Sequence, residues 1–167
     1  MSISTDAVRL LSERSILIPI KHVGDTTMKF MMFMIPKVYQ PETPAEEQAG
    51  EGFAPSVEEV EPMMKFNEEL AKAGALISLD GLHPLANGAR VSFKGENPTV
   101  TDGPFIEAKE VIGGYWVIDV SSKEEAVEWA RKCPAAEGDV IEVRQVFEEE
   151  DFQKATDNRR KRSPRTR

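Results

Sequence analysis

The chain has 167 residues and a mass of 18.6 kDa, a size that favours one domain. Hydrophobic residues make up 40% of it and charged residues 30%, with a mean hydropathy of -0.39, which is typical of a soluble globular protein. The longest apolar run, Phe30 to Ile35, is far shorter than the roughly 20 residues of a membrane-spanning helix. These values exclude a membrane-embedded or globally disordered chain.

The single cysteine, Cys133, cannot form a disulfide within the chain, and His22 and His83 are the only histidines. Three such side chains do not supply a Cys/His zinc site. The first residues also lack the basic head and apolar segment of a secretory signal. The sequence therefore predicts a cytoplasmic protein that uses no metal ion and no organic cofactor.

The net charge of -8 is unevenly distributed. Residues 28–153 carry 11 Lys and Arg against 25 Asp and Glu, a net charge of -14, whereas residues 154–167 carry 7 basic residues and 1 acidic residue, a net charge of +6. An acidic surface repels phosphate, so only the tail is suited to contact nucleic acid, and a merely solvated, disordered tail is the simpler interpretation. We predict an N-terminal extension at 1–27, a domain at 28–153 and a basic disordered tail at 154–167.

The domain is predicted to begin with a continuous apolar strand, Met28 to Ile35. Residues 36–55 contain four prolines and two glycines, which predict a loop long enough to indicate a functional or mobile role. Ser56 and Glu59 have capping-box spacing, and apolar residues then recur with helical spacing until Gly74, a C-terminal cap residue.

Pro62 conflicts with an unbroken helix from Ser56, because proline lacks the backbone donor and clashes with the preceding turn. Either the helix proper begins at Pro62 or its first turns are irregular. The remaining predicted elements are a strand at Ala75 to Leu82, a hairpin of Ala89 to Lys94 with Thr99 to Asp102, a strand at Gly114 to Val120, a helix from Ser122 to Pro134, and a last strand from Ile141 to Phe147.

This order of strands and helices predicts a ferredoxin-like α+β sandwich with an extra β-hairpin and both helices on one face of the sheet. The opposite face would expose alternate residues of the apolar first strand together with Tyr115 or Trp116. A second copy is the simplest cover for that face. We therefore expect a homodimer in which two sheets face each other.

The densest cluster of polar residues follows the predicted hairpin. Asp102-Gly103-Pro104 is typical of a tight turn at a strand end, and Phe105 is expected to anchor it in the core. Charged residues follow within reach of Asp102, so a carboxylate here can act as an acid or base if the pocket is dry; they are Glu107, Lys109 and Glu110. The alternative is a structural turn with surface ion pairs.

The stretch Val100-Thr101-Asp102-Gly103-Pro104-Phe105, with the charged residues after it and Gly113-Gly114, resembles the signature of the DGPF-motif proteins in the YCII-related family. The resemblance extends over roughly residues 28–148. Its further matching positions are Met63 to Phe66, Glu69-Leu70, Ala73-Gly74, Gly81-Leu82, Pro84, Gly88, Arg90-Val91, Glu125-Ala126, Trp129-Ala130, Pro134 and Glu142-Val143-Arg144.

The resemblance implies a ferredoxin-like subunit that dimerises into an α+β barrel, but no settled activity. Family members are small bacterial proteins, often encoded beside or fused to extracytoplasmic-function sigma factors. Enzymatic relatives in the broader group resemble acid-base catalysts with a histidine on the first helix, and residues 57–73 contain no histidine. That mechanism does not transfer to this chain, and Ala108 and Gln145 also depart from the frequent residues of the family.

Two further residues are candidates for chemistry. His83 lies in a loop before Pro84, and a histidine can take up and release a proton near neutral pH, although a solvated loop histidine is the simpler interpretation. Arg144 either binds an anionic ligand or forms a surface ion pair. Cys133, on the apolar face of the second helix, is expected to be inert.

Two functions compete. In the first, a dimer cavity binds a small organic molecule, with Asp102 or His83 as a base and Glu107, Lys109, Glu110 or Arg144 around the ligand. In the second, the protein is a non-enzymatic accessory or regulatory module of sigma-factor-dependent transcription, which contacts a protein partner through the 36–55 loop or the basic tail.

Overall fold

The computed structural model describes residues 27–50, 52–105 and 110–153. The predicted basic tail and, apart from Thr27, the predicted N-terminal extension lie outside these ranges. The elements are, in chain order, β1 (Met28–Ile35), α1 (Val57–Lys72), β2 (Leu76–Gly81), β3 (Ala89–Phe93), β4 (Pro98–Asp102), β5 (Gly114–Val120), α2 (Lys123–Lys132) and β6 (Val140–Gln145). Every strand and helix predicted for the domain is therefore present, with bounds within about two residues of the prediction.

Four strands form one antiparallel sheet in the order β2-β5-β1-β6. The apolar strand β1 lies inside this sheet and pairs with β5 on one side and β6 on the other. β3 and β4 form a separate two-stranded sheet. The predicted ferredoxin-like α+β fold with an extra hairpin is confirmed.

Alternation along the inner strands decides which side of the sheet is the core. Phe30 and Met32 of β1 and Ile118 of β5 are buried, and they share one cluster with side chains of both helices. The core cluster consists of Phe30, Met32, Phe66, Leu70, Ala75, Leu76, Trp116, Ile118, Val120 and Ala126. The intervening residues of β1 and β5 point to the opposite side of the sheet, as side chains alternate along a strand.

We call that opposite side the open face. At its centre Met31 is paired with Val117, and Phe33 is paired with Tyr115; all four are half-buried and lie outside the core cluster. The Tyr115 hydroxyl donates a hydrogen bond of 2.8 Å to the Asp80 carboxylate, which raises the pKa of the tyrosine. An apolar strip bordered by polar side chains therefore occupies the open face.

Helix α1 has the predicted caps at both ends. The Ser56 hydroxyl accepts a bond from the Glu59 backbone, and the Glu59 carboxylate accepts one from the Ser56 backbone. Gly74 follows the C-cap residue Ala73, and its φ of 70° is the left-handed conformation that glycine adopts readily. α1 runs continuously through Pro62, so the helix does not begin there. Across the described ranges, no helix is long and apolar enough to span a membrane.

The β3–β4 hairpin is mostly solvent-exposed, and its two faces differ. The register pairs Val91 with Val100 and Phe93 with Pro98, which places these four apolar residues on one face. Phe93 is 80% exposed and Val100 is 67% exposed. The hairpin therefore carries an apolar face that the described residues of its own chain leave uncovered.

Candidate functional site

A cleft of about 440 Å³ lies beside the end of β1, where the 36–55 loop, the first turns of α1 and the loop after β2 meet. Most of its lining is apolar. Of the predicted site residues that the structure describes, only His83 lines this cleft. The lining residues are Met34, Pro36, Val38, Tyr39, Phe53, Ala54, Pro55, Glu59, Val60, Met63, Gly81, Leu82, His83, Gly113, Ala136 and Asp139.

The 36–55 loop forms one wall of the cleft and is held by hydrogen bonds to distant segments. The Gln40 side-chain amide donates to the Val111 carbonyl and accepts from the Val111 backbone, both at 3.0 Å. The Lys37 backbone donates to Asp139 at 2.8 Å. A side chain at Gly113 would place its Cβ only 2.5 Å from Pro36. This part of the wall is therefore fixed against the segment before β5 and the turn before β6.

The backbone beside His83 is fixed from two directions. The Leu82 backbone donates to the Gly113 carbonyl at 2.8 Å, and the Leu82 carbonyl accepts from the Tyr39 hydroxyl at 3.0 Å. Pro84, which follows, is buried. The His83 side chain is exposed and forms no hydrogen bond or ion pair with any described residue. The imidazole therefore lines the cleft with nitrogens that are not bonded to any described side chain or backbone group.

The other titratable side chains that line the cleft already have hydrogen-bond partners, and one of them, Tyr39, is also kept protonated by burial. Glu59 accepts its capping bond from Ser56, which lowers the pKa of the carboxyl. Asp139 accepts from the backbones of Lys37 and Ala136 at 2.8 and 2.9 Å. Burial raises the pKa of the Tyr39 phenol, so it stays protonated and donates to Leu82.

The Asp102-Gly103-Pro104 turn packs against the loop between β2 and β3, which contains His83. The Gly103 backbone donates to the Gly88 carbonyl at 2.8 Å, and a Cβ at Gly103 would lie 1.8 Å from the Leu85 carbonyl oxygen. Only glycine allows this approach of two backbones. The turn therefore supports the 85–88 segment through its main chain.

Phe105 is half-buried, and the Arg90 guanidinium lies 4.2 Å from the centre of its ring. It is not a member of the core cluster, so the prediction that Phe105 anchors the turn in the core is wrong. The physical reason is that the β3–β4 hairpin is a separate, exposed sheet. Arg90 of its strand β3 provides the cation that the Phe105 ring contacts.

The other predicted site residues that the structure describes, Asp102, Glu110 and Arg144, do not line the cleft. Asp102 ends β4 opposite Ala89 with an exposed side chain, and Glu110 is also exposed. Glu107 and Lys109 lie outside the described residues.

Arg144 lies on β6, opposite Met31, and thus on the open face rather than at the cleft. Its Nε is 3.6 Å from the Glu142 carboxylate, and both side chains are largely exposed. This contact is the surface ion pair that the sequence offered as one of two alternatives, and such pairs contribute little to stability.

Cys133 is partly buried beside Met63, with 3.9 Å between the two sulfur atoms. Burial, with a smaller contribution from Asp139, raises the pKa of its thiol to about 12. A protonated thiol is a poor nucleophile, so the expectation that Cys133 is inert agrees with its surroundings. Among residues 27–50, 52–105 and 110–153, no group of three or more His, Cys, Asp or Glu side chains is arranged to hold a metal ion.

Comparison with known proteins identifies the family. Residues 28–150 match the YCII-related domain, so the chain belongs to the YCII-related family, as the sequence resemblance predicts. An uncharacterized protein of Rhizobium meliloti (strain 1021) is similar to it, with 34% identity over 80 residues. That alignment covers 46% of this chain and 64% of the relative, so the chain spans less than two thirds of that protein's length.

Sequence reasoning missed most of the cleft. The sequence places Tyr39 and Phe53 only within a long loop and Glu59 only in a helix cap, and it gives no reason to single out Asp139. The sequence feature that indicates this region is the length of the 36–55 loop, which exceeds that of an ordinary connection between two elements. Which loop residues face His83 depends on long-range hydrogen bonds that have no local pattern.

Proposed function

We propose that this YCII-related protein binds a small organic molecule in the cleft beside His83. The observation that carries the proposal is a concave, mainly apolar site of about 440 Å³ with few polar groups, which lies in the size range of ligand sites. The site lies within one chain. A cavity between two subunits, as expected from the sequence, is not needed to form it.

His83 is our candidate for proton transfer to or from the bound molecule. A general base needs an available nitrogen within hydrogen-bond reach of the ligand. Glu59, Asp139 and Tyr39 already serve backbone groups, whereas the His83 imidazole has no partner among the described residues. Asp102 is the alternative base, but we interpret it as a structural residue of the turn that it begins.

A thermal-shift screen of small aromatic and aliphatic compounds tests the binding function. A ligand present at 100 times its dissociation constant stabilises the folded state by about 2.7 kcal/mol, which for this chain length raises the melting temperature by roughly 5–10 °C. Val60 lines the cleft, and Val57, on the same exposed side of α1, does not.

We therefore expect Val60→Trp to abolish the ligand-induced shift and the matched control Val57→Trp to retain it. A shift that both variants keep would place the ligand elsewhere. A screen in which no compound stabilises the wild type would remove the basis for a binding function.

We further propose that two copies associate through the open face. Met31, Phe33 and Val117 form an apolar strip there, and burying it in a dimer would remove that surface from water. Light scattering should give about twice the subunit mass of 18.6 kDa for the wild type, and Phe33→Glu should reduce it to one subunit. A wild type that has the mass of one subunit would contradict the dimer.

A second candidate function is contact with a transcription-related protein, and the apolar face of the β3–β4 hairpin is the observation that favours it. Phe93 and Val100 are too exposed to serve the folding of their own chain. Binding of the protein to a purified extracytoplasmic-function sigma factor should then fall with Phe93→Ser and persist with Ser92→Ala, which changes the other face. Equal binding by both variants would exclude the hairpin as the contact surface.

A further inference from the structure

The side chains that line the cleft have one sign of charge. Glu59 and Asp139 contribute two carboxylates, and neither lysine nor arginine is among the described lining residues. The capping bonds that lower the pKa of Glu59 keep it ionised at neutral pH. A negative potential follows, and the net charge of -14 over residues 28–153 adds to it.

Two described basic side chains outside the lining, Lys37 and Arg144, have carboxylate partners of their own. Lys37 follows the lining residue Pro36, but its ammonium is bound to Glu47 at 2.9 Å. Arg144 lies on the open face and is paired with Glu142. An anionic ligand would therefore find neither a lysine nor an arginine among the described lining residues, and burying its charge without such a partner carries a desolvation penalty.

The carboxylates of the cleft keep acceptor capacity for a ligand. An ionised carboxylate offers about four lone-pair sites on its two oxygens. One Glu59 oxygen accepts from the Ser56 backbone, and each Asp139 oxygen accepts one backbone bond. Further hydrogen bonds from an ammonium group can therefore be accepted without breaking the bonds that hold the walls.

The aromatic pair of the cleft suits the same kind of ligand. The Tyr39 and Phe53 rings are 5.8 Å apart between centroids and inclined at 80°, so an edge of one ring meets the face of the other. Aromatic faces attract organic cations, and the thioethers of Met34 and Met63 in the same lining are favourable neighbours for an aromatic body.

We propose that the cleft binds a small organic ammonium ion with an aromatic or apolar body, whose charged end faces Glu59 and Asp139 and whose body lies among Tyr39, Phe53 and the methionines. This inference rests on the proposed binding function and specifies its ligand class. Anionic compounds are therefore not among the ligands that we expect in the cleft, and these include the anionic ligands considered for Arg144 or Lys109.

Three compounds of nearly equal shape separate charge from apolar contact: 2-phenylethylamine, 2-phenylethanol and phenylacetate. We expect titration calorimetry to show at least about tenfold tighter binding of the amine than of the alcohol, and no measurable binding of phenylacetate. The advantage of the amine should shrink when the ionic strength is raised, because salt screens charges near the surface.

Two isosteric variants and one matched control locate the effect. Glu59→Gln removes a charge and keeps an acceptor oxygen for the Ser56 backbone, whereas Asp139→Asn removes a charge and keeps an acceptor for only one of its two backbone bonds. We expect each variant to weaken the amine several-fold more than the alcohol, and Glu59→Gln to leave the alcohol unchanged. Glu58→Gln removes the same charge from a neighbouring residue that does not line the cleft, and should leave the tenfold advantage largely intact.

Equal affinity for amine and alcohol would overturn the ammonium proposal and leave the binding function standing. Tighter binding of phenylacetate, or equal losses for Glu58→Gln and Asp139→Asn, would overturn it as well. If none of the three compounds binds, the proposal fails for aryl amines, and the wider thermal-shift screen decides separately whether the cleft binds any small molecule.

Discussion

The Asp102–Phe105 turn and the cleft beside His83 differ in how far a short, contiguous stretch of sequence determines their structure. The turn is a contiguous motif, and its glycine contacts the backbone of the 85–88 segment. The cleft gathers residues from β1, the 36–55 loop, α1 and the segments around Gly113 and Asp139. A dense local motif can thus reflect a backbone constraint, whereas a ligand site forms where distant segments meet.

The largest effect is expected at the turn. Gly103→Ala would place a Cβ 1.8 Å from the Leu85 carbonyl oxygen, so one of two backbones must move. We expect a loss of about 3 kcal/mol in the free energy of unfolding, measured by urea denaturation. Gly88→Ala on the facing segment meets that oxygen only at 3.5 Å and should be close to neutral. Equal stability of the two variants would mean that the turn is not a backbone support.

The wall of the cleft offers the next largest effect. Asp139→Ala removes the acceptor for the Lys37 and Ala136 backbones, which should reduce stability by about 2 kcal/mol. Amide hydrogen exchange should quicken at Lys37 in this variant and stay unchanged at Phe30 in the core. Unchanged protection of Lys37 would show that Asp139 does not hold the loop.

A smaller effect compares the two regions directly. His83→Gln should change the free energy of unfolding by less than about 0.5 kcal/mol, because the side chain is exposed and has no partner in the described ranges, and yet reduce ligand-induced stabilisation. Asp102→Asn should leave ligand-induced stabilisation at the wild-type value. The reverse outcome, with the ligand sensitive to Asp102 alone, would move the site to the turn.

The last effect depends on pH and concerns Cys133. Its pKa is raised from 9.0 to about 12 in the folded state, so above pH 9 the unfolded chain loses this proton more readily than the folded one. The contribution of the thiol to stability is therefore fully present below pH 9 and is lost as the pH rises toward 12. Between about pH 8 and about pH 10.5, the wild type should lose more stability than Cys133→Ala, measured by urea denaturation at both values. Equal losses would contradict the burial of the thiol.

The fold was largely predictable because each element carries its own signal. The apolar run of β1, the capping box of Ser56 and Glu59, and the serine cap of α2 each satisfy local backbone requirements. Pro62 was ambiguous, since a proline removes a helical hydrogen bond, but the cap at Ser56 decides where the helix begins. Local physics thus accounts for most of the domain.

The candidate site was predictable only at His83. Nothing near Tyr39 in the sequence shows that its hydroxyl binds the Leu82 carbonyl 43 positions later, and Asp139 carries no motif that links it to Lys37. Phe105 was misjudged for the same reason, since its partner Arg90 comes from another strand. Such contacts depend on the packing of the whole domain.

The most direct test of the account is a crystal structure of the protein with 2-phenylethylamine bound. The account predicts ligand density between the 36–55 loop and α1, with the ammonium group near Glu59 and Asp139 and the ring against Tyr39 and Phe53. Density at the Asp102–Phe105 turn or on the open face, with the cleft filled only by solvent, would contradict it.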